Sequence, residues 1–164
     1  MTFILDIDHS DTKFGLQDES AKRTIQLPIG FDPAEDRIYP LIVKLDILPG
    51  AGDELLFWIK SETGDGMVEE FRDGRHTRFL SALNRKIILN TLLEAIKTLL
   101  FHCNPKSVIL ITGQFRLPAK ALVKFLKIIE IFENSGYYID QSDLSLGVSS
   151  WLFKFNETFE SNSR

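Results

Sequence analysis

The stretch Ser107-Val108-Ile109-Leu110-Ile111-Thr112 carries four consecutive aliphatic residues and lies between two long segments of helical periodicity. Such a run reads as a central strand buried on both faces, with Val108 to Ile111 shielded from solvent. Working outward, Leu80, Leu83, Ile87, Ile88, Leu92, Ala95, Ile96, Leu99 and Cys103 recur at spacings of three and four before it. They predict an amphipathic helix from about Thr77 to Asn104, stopped by Pro105. On the other side, Pro118 suits a first helical position, and a second helix runs to about Asn134 ahead of Gly136. On it Leu122, Phe125, Leu126, Ile129 and Phe132 are expected to face the core, with Lys120, Lys124 and Lys127 opposite.

Upstream, the pattern has period two. Phe3, Leu5 and Ile7 alternate with Ile4, Asp6 and Asp8, and Lys13–Gln17 and Thr24–Leu27 return as further strands. Residues 30–40, with two prolines, read as a loop. Strands follow at Leu41–Leu48, around Leu55, Phe57 and Ile59, and at Met67–Phe71. Tyr137–Asp140 and Val148–Phe155 close the chain, with Trp151, Phe153 and Phe155 filling the layer between sheet and helix.

The expected fold is α+β: a mostly antiparallel sheet of six to eight strands, with two long helices packed on one face. A β-α-β crossover near the C-terminus, over 107–140, joins parallel strands. The chain of 164 residues is 44% hydrophobic, enough for one core, and no linker or repeat divides it. A single domain over 1–160 with a frayed tail at 161–164 is expected.

A net charge of −4 argues against nucleic acid as a partner, because affinity for phosphate backbones comes from clustered cations. No apolar run reaches the roughly 20 residues that span a bilayer, and the acidic N-terminus does not resemble a secretory signal. A single cysteine, Cys103, suits a reducing compartment, so a cytoplasmic location is expected without membrane association.

Three stretches could carry chemistry. The loop 112–118 leaves a strand and enters a helix, where free N–H groups and the helix dipole favour an anion. There Gly113, Gln114 and Arg116 are the candidate anion-binding residues, although an ordinary β–α connection in which Gly113 makes the turn is the simpler reading. The second stretch, 71–86, holds Arg72, Arg75, Arg78, Arg85 and Lys86 against Asp73. This basic patch is either offered to an acidic partner or paired internally with Glu69 and Glu70.

Third, Asp6-Ile7-Asp8, with Thr112, a downstream lysine and the Asp140/Asp143 pair, resembles the motif order of haloacid-dehalogenase-like phosphotransferases. That resemblance implies Asp6 as nucleophile, Asp8 as acid/base and the remaining acids holding magnesium. His9 and Ser10 depart from the family's small residue followed by Thr or Val, and the intervening strands are not the repeated strand–helix units of that fold. Asp6 and Asp8 are therefore read as two acids on the wet face of a strand. His9, His76 and His102 show no ligand spacing, and neither a metal site nor a cofactor is expected.

The expected function is that of a small interaction or regulatory protein of bacterial type without catalysis, its partner another protein or a second copy. The alternative is an enzyme or sensor that takes a phosphate- or carboxylate-bearing small molecule at 112–118.

Overall fold

A computed structural model describes residues 2–7, 13–17, 22–71, 77–112, 119–143 and 149–157. The strands among them are β1 (Ile4–Leu5), β2 (Lys13–Gln17), β3 (Lys22–Asp32), β4 (Arg37–Leu48), β5 (Gly52–Thr63), β6 (Val68–Phe71), β7 (Ser107–Ile111), β8 (Tyr137–Asp143) and β9 (Ser150–Phe155), with helices α1 (Ala82–Cys103) and α2 (Ala119–Asn134). The α+β class, the mostly antiparallel sheet and the two long helices stand as expected. Strands number nine when the two-residue β1 is counted. The residues gather into two compact units, Met1–Lys44 with Leu56–Ala95 and Leu45–Leu55 with Ile96–Arg164.

In the first unit β3 is the scaffold for both N-terminal strands: β1 and β2 each pair with it antiparallel, at Ile4↔Phe31 and Phe14↔Ile25. Gly30 permits this closeness, since a Cβ there would lie 2.4 Å from the Ile4 carbonyl oxygen and would meet the Phe3 ring. The expected loop over 30–40 shrinks to a turn after Asp32. The Asp32 carboxylate is fully buried and accepts from the backbone N–H groups of Thr2 at 2.7 Å and Ala34 at 3.0 Å, which offsets its desolvation. Pro40 lies inside β4, in a run from Tyr39 to Val43 that is buried throughout. Tyr39 is the centre of an aromatic cluster, with Phe3 and Phe79 each 5.3 Å from its ring. Its hydroxyl finds no hydrogen-bond partner among the described residues, and desolvation raises its pKa despite the opposing pull of Arg37.

Helix α1 begins at Ala82, later than the spacing predicts, because Ser81 caps it: its Oγ accepts from Asn84 N–H at 3.1 Å. The helix ends where expected. Asn104 takes a left-handed conformation (φ 41°) and its N–H donates to the Leu100 carbonyl, immediately ahead of Pro105.

In the second unit β7 pairs parallel with β5 at Asp53↔Val108 and Glu54↔Ile109, and antiparallel with β9. Strand β8 pairs only with β9 among the described strands of this unit, with a register shift between Ile139 and Gln141. The expected crossover is not confirmed as a paired unit: β7 and β8, both antiparallel to β9, run in the same direction and are linked through α2, but β9 lies between them and they do not pair with each other. The parallel partner of β7 is instead β5.

Helix α2 covers one face of this sheet through aromatic stacking: Phe132 on Phe153 at 4.1 Å and Phe125 on Trp151 at 5.8 Å between centroids. Val108 and Leu110 sit opposite Phe153 and Trp151 on the same face and are fully buried. Tyr137 ties this layer to the end of α1 by donating its hydroxyl to the Pro105 carbonyl at 2.8 Å.

Two expectations fail here. Strand β7 is not solvent-free on both sides, since Ile109 is half-buried and Ile111 is 44% exposed. The buried stripe of α2 is Phe125, Ile128, Ile129 and Phe132, leaving Leu122 and Leu126 at 40% and 54% exposure.

These differences give measurable consequences. Leu110→Ala should cost about 2–5 kcal/mol in chemical denaturation, whereas Ile111→Ala, two residues on, should cost less than about 1 kcal/mol. Tyr39→Phe keeps the ring and removes an unsatisfied buried hydroxyl. It should therefore raise stability by about 1 kcal/mol in the same measurement, and a loss of that size would reveal a partner for the hydroxyl.

Candidate interaction face

The site residues expected from sequence are scattered in their fate. Gly113, Gln114 and Arg116 lie outside the described residues, as do Arg72, Arg75, Asp8, His9 and His76. Thr112 is buried and engaged with the opposite segment: its N–H donates to the Ser149 carbonyl at 2.9 Å and its Oγ1 accepts from Ser149 N–H at 3.0 Å. Arg78 precedes α1, which starts at Ala82. Arg85 donates from Nε to the Leu80 carbonyl at 2.9 Å, and Arg78, Arg85 and Lys86 are all exposed. Glu69 accepts from Arg37 at 2.6 Å.

Asp6 is exposed at the end of β1, and Asp140 binds Lys154 Nζ at 2.9 Å, an interaction that holds the ammonium above its usual pKa. Among the described residues no three His, Cys, Asp or Glu side chains gather as a metal-binding group. No described helix is long and apolar enough to cross a membrane.

Two of the open hollows among the described residues can be placed. One, of about 570 Å³ in the first unit, lies between the turns after β3 and β5 and is lined by Asp36, Arg37, Thr63 and Asp65 among others. Its cation is committed internally: Arg37 meets Glu35 at 2.9 Å, Glu69 at 2.6 Å and the Ser61 hydroxyl at 3.3 Å. The Thr63 hydroxyl and the Met67 N–H hold the Asp65 carboxyl below the ordinary range.

The other hollow, of about 520 Å³, belongs to the second unit and is lined by Ile109 and Leu152 of the sheet face that α2 does not stack upon and by Ser142 and Trp151 of the other. Ladder register defines the face away from α2. Residues opposite one another project to the same side, so Glu54, Ile109, Leu152 and Gln141 form one row across four strands. Ile111, Ser150 and Asp143 form the next, and Ser107, Lys154 and Tyr138 the one on the other side. The central pair of the face, Ile109 and Leu152, is half-buried, with Ile111 at 44% and Tyr138 at 47% exposure in the rows on either side, and the face carries the carboxylates of Glu54 on β5 and Asp143 on β8.

The sequence did not single out this face, although its signal was present in β7, whose aliphatic run has apolar residues for two faces. A lesser apolar patch lies on the outer side of α2, where Leu122, Val123 and Leu126 are followed by Glu130 and Glu133.

With the geometry in view, comparison with known proteins gives no further guide: no family model, no curated protein and no solved structure matches the chain.

Lys124, beside the α2 patch, has its Nζ 4.6 Å from the Phe125 ring centre, and burial lowers its pKa below the ordinary value of about 10.5. The charged form is penalised only in the folded state, so the cost is present in full at neutral pH. It is relieved as pH rises through the folded pKa toward the unfolded one. Lys124→Met should therefore raise the unfolding midpoint at pH 7 and raise it less near pH 10.5, as read by thermal melts. A gain equal at both pH values would assign the effect to packing alone.

Proposed function

We propose that the chain is a non-catalytic interaction or regulatory protein, with the open face of the β5–β7–β9–β8 sheet as its docking surface for another protein. One observation supports this reading above others: Val108 and Leu110 are fully buried while Ile111 on the same strand is 44% exposed. A strand composed for two covered faces has one full cover among the described residues, and exposed apolar groups framed by polar ones are the usual mark of a protein contact. Catalysis has less support, since the described residues present no paired nucleophile and base in either hollow. The alternative, an anionic ligand at 112–118, depends on Gly113, Gln114 and Arg116, and Thr112 at its start already satisfies Ser149.

The test uses the chain in its native cell. A photo-activatable aromatic residue at position 111 should cross-link one discrete protein, while the same residue at Glu35, exposed in the first unit, should not. Lys at position 111 should abolish copurification of that protein and shift stability by no more than about 0.5 kcal/mol. Equal cross-linking from both positions, or none from 111, would overturn the docking role.

A further inference from the structure

We infer that the chain pairs with a second copy of itself along the outer edge of β8, so that the sheet continues from one copy into the other and α2 packs against α2 above the join. This surface is separate from the docking face proposed above, and the two readings stand or fall independently.

Backbone direction opens the edge. Phe155 N–H donates to the Lys106 carbonyl and Thr112 N–H to the Ser149 carbonyl, so Phe155, Phe153, Trp151 and Ser149 direct their backbone groups toward β7. The alternate residues Lys154, Leu152 and Ser150 bond to β8, where they oppose Tyr138, Gln141 and Asp143. Ile139 and Ser142, opposite Phe153 and Trp151, then direct N–H and C=O away from β9. In the sheet order β8 comes last, no strand lies beyond it among the described residues, and Tyr138 to Asp143 are exposed. Another extended strand satisfies such a row, donor for acceptor.

The helix above turns an apolar flank the same way. Strands β7 and β8 run in one direction and are linked through α2, and such connections are right-handed. Looking down α2 from its amino end with the sheet below, β8 lies to the left and successive residues turn clockwise by about 100°. From the buried stripe Phe125, Ile128, Ile129 and Phe132, the residues Leu122, Leu126 and Glu133 stand about a quarter-turn clockwise, on the side of the β8 edge. Lys124 and Ile131 stand about as far the other way, on the side of β7. Exposure agrees: Leu122 and Leu126 are 40% and 54% exposed, whereas Lys124 and Ile131 are half-buried.

Spacing selects a second copy as the occupant. The Phe132 ring meets Phe153 of β9 at 4.1 Å and Tyr137 of β8 at 5.6 Å, which places the α2 axis between those strands. A two-fold axis perpendicular to the sheet, half a strand spacing beyond β8, lies about 4.8 Å from that line. It sets the two α2 axes about 9.6 Å apart, within the roughly 8–10 Å of packed helices. Phe125 stacks on Trp151, which lies opposite Ser142, so Leu126 is level with Ser142. An axis passing Ser142 brings Leu126 onto the second copy's Leu126, and Ser142 N–H onto the second copy's Ser142 carbonyl. Charge suits this register. Asp143 opposes Gln141 and not its own counterpart, and Glu133 is level with Ala119 at the amino end of the second α2, where the helix dipole favours an acid.

Sedimentation equilibrium of the whole protein over a concentration series tests the pairing. The mass should rise from 18.7 kDa toward twice that value as concentration increases. Leu126→Glu should raise the dimer dissociation constant at least about tenfold. Ser142→Pro should do the same, because the N–H it removes makes no bond to β9 and an edge strand tolerates the ring. Thermal melts at a concentration where the parent is monomeric should show both variants folded. In a Cys103→Ser background, Leu126→Cys should form a covalent dimer on mild oxidation, while Val123→Cys, which points away from the sheet, should not.

A mass of 18.7 kDa at every concentration, with no covalent dimer from position 126, would overturn the pairing. So would a dimer that survives both substitutions, or one that Ile111→Lys abolishes and Leu126→Glu does not, since another surface would then hold it. If Leu126→Glu dissolves the dimer and a folded Ser142→Pro keeps it, the helices meet without a continuous sheet and the inference fails. Should Ser142→Pro not fold, hydrogen exchange at the Ser142 amide of the parent takes its place: protection that grows with concentration upholds the continuous sheet, and its absence overturns it.

Discussion

A β-strand has two faces, and a helix laid against a sheet can cover only one of them. In the second unit that cover is α2, fixed by the stacks of Phe132 on Phe153 and Phe125 on Trp151. Register carries the consequence across the sheet: with Trp151 and Phe153 under the helix, Val108 and Leu110 must be under it too, and Ile109, Ile111 and Leu152 must point away. A one-residue slip would exchange the two sets. The fully buried aromatic Phe153 makes that slip costly, because it would place a large ring in water and a smaller side chain against Phe132. The exposure of Ile111 follows from the same packing that buries Leu110.

Much of this was legible in the sequence. The change from period two to period three and four near residue 80, the stop at Pro105, the β7 run and the closing aromatic strand all appear where the residues put them. Local chemistry with one dominant cause was readable; outcomes set by distant partners were not. Pro40 lacks the N–H that a central strand uses, so residues 30–40 read as loop. Burial of Tyr39, Leu41 and Val43 in one core nevertheless holds the segment extended. Similarly, Thr77 looked like a helix start, yet the hydroxyl that receives a helical N–H is that of Ser81.

The sheet face away from α2 was hidden for a different reason. Aliphatic composition shows that both sides of β7 are apolar, but it cannot show how many of them the same chain covers. Likewise Leu122 and Leu126 lie at spacings that suit a core stripe, and only the stacking angle of α2 turns them outward in favour of Ile128. The carboxylates on this face are non-local in the same sense. Glu54 and Asp143 are far apart in sequence and share a surface through three ladder registers, β5 with β7, β7 with β9 and β9 with β8. The anion loop, by contrast, was conspicuous in sequence because its logic is local.

Polar groups in the two units show opposite treatment of buried charge, and this bears on function. In the first unit Asp32 is sealed and satisfied by two backbone donors, and Arg37 is shared among Glu35, Glu69 and Ser61, so its polar chemistry is turned inward. Polarity of that kind stabilises turns and leaves little for a ligand. On the second unit's sheet face away from α2, Glu54 is half-buried and Asp143 exposed, so these carboxylates are less enclosed than that of Asp32.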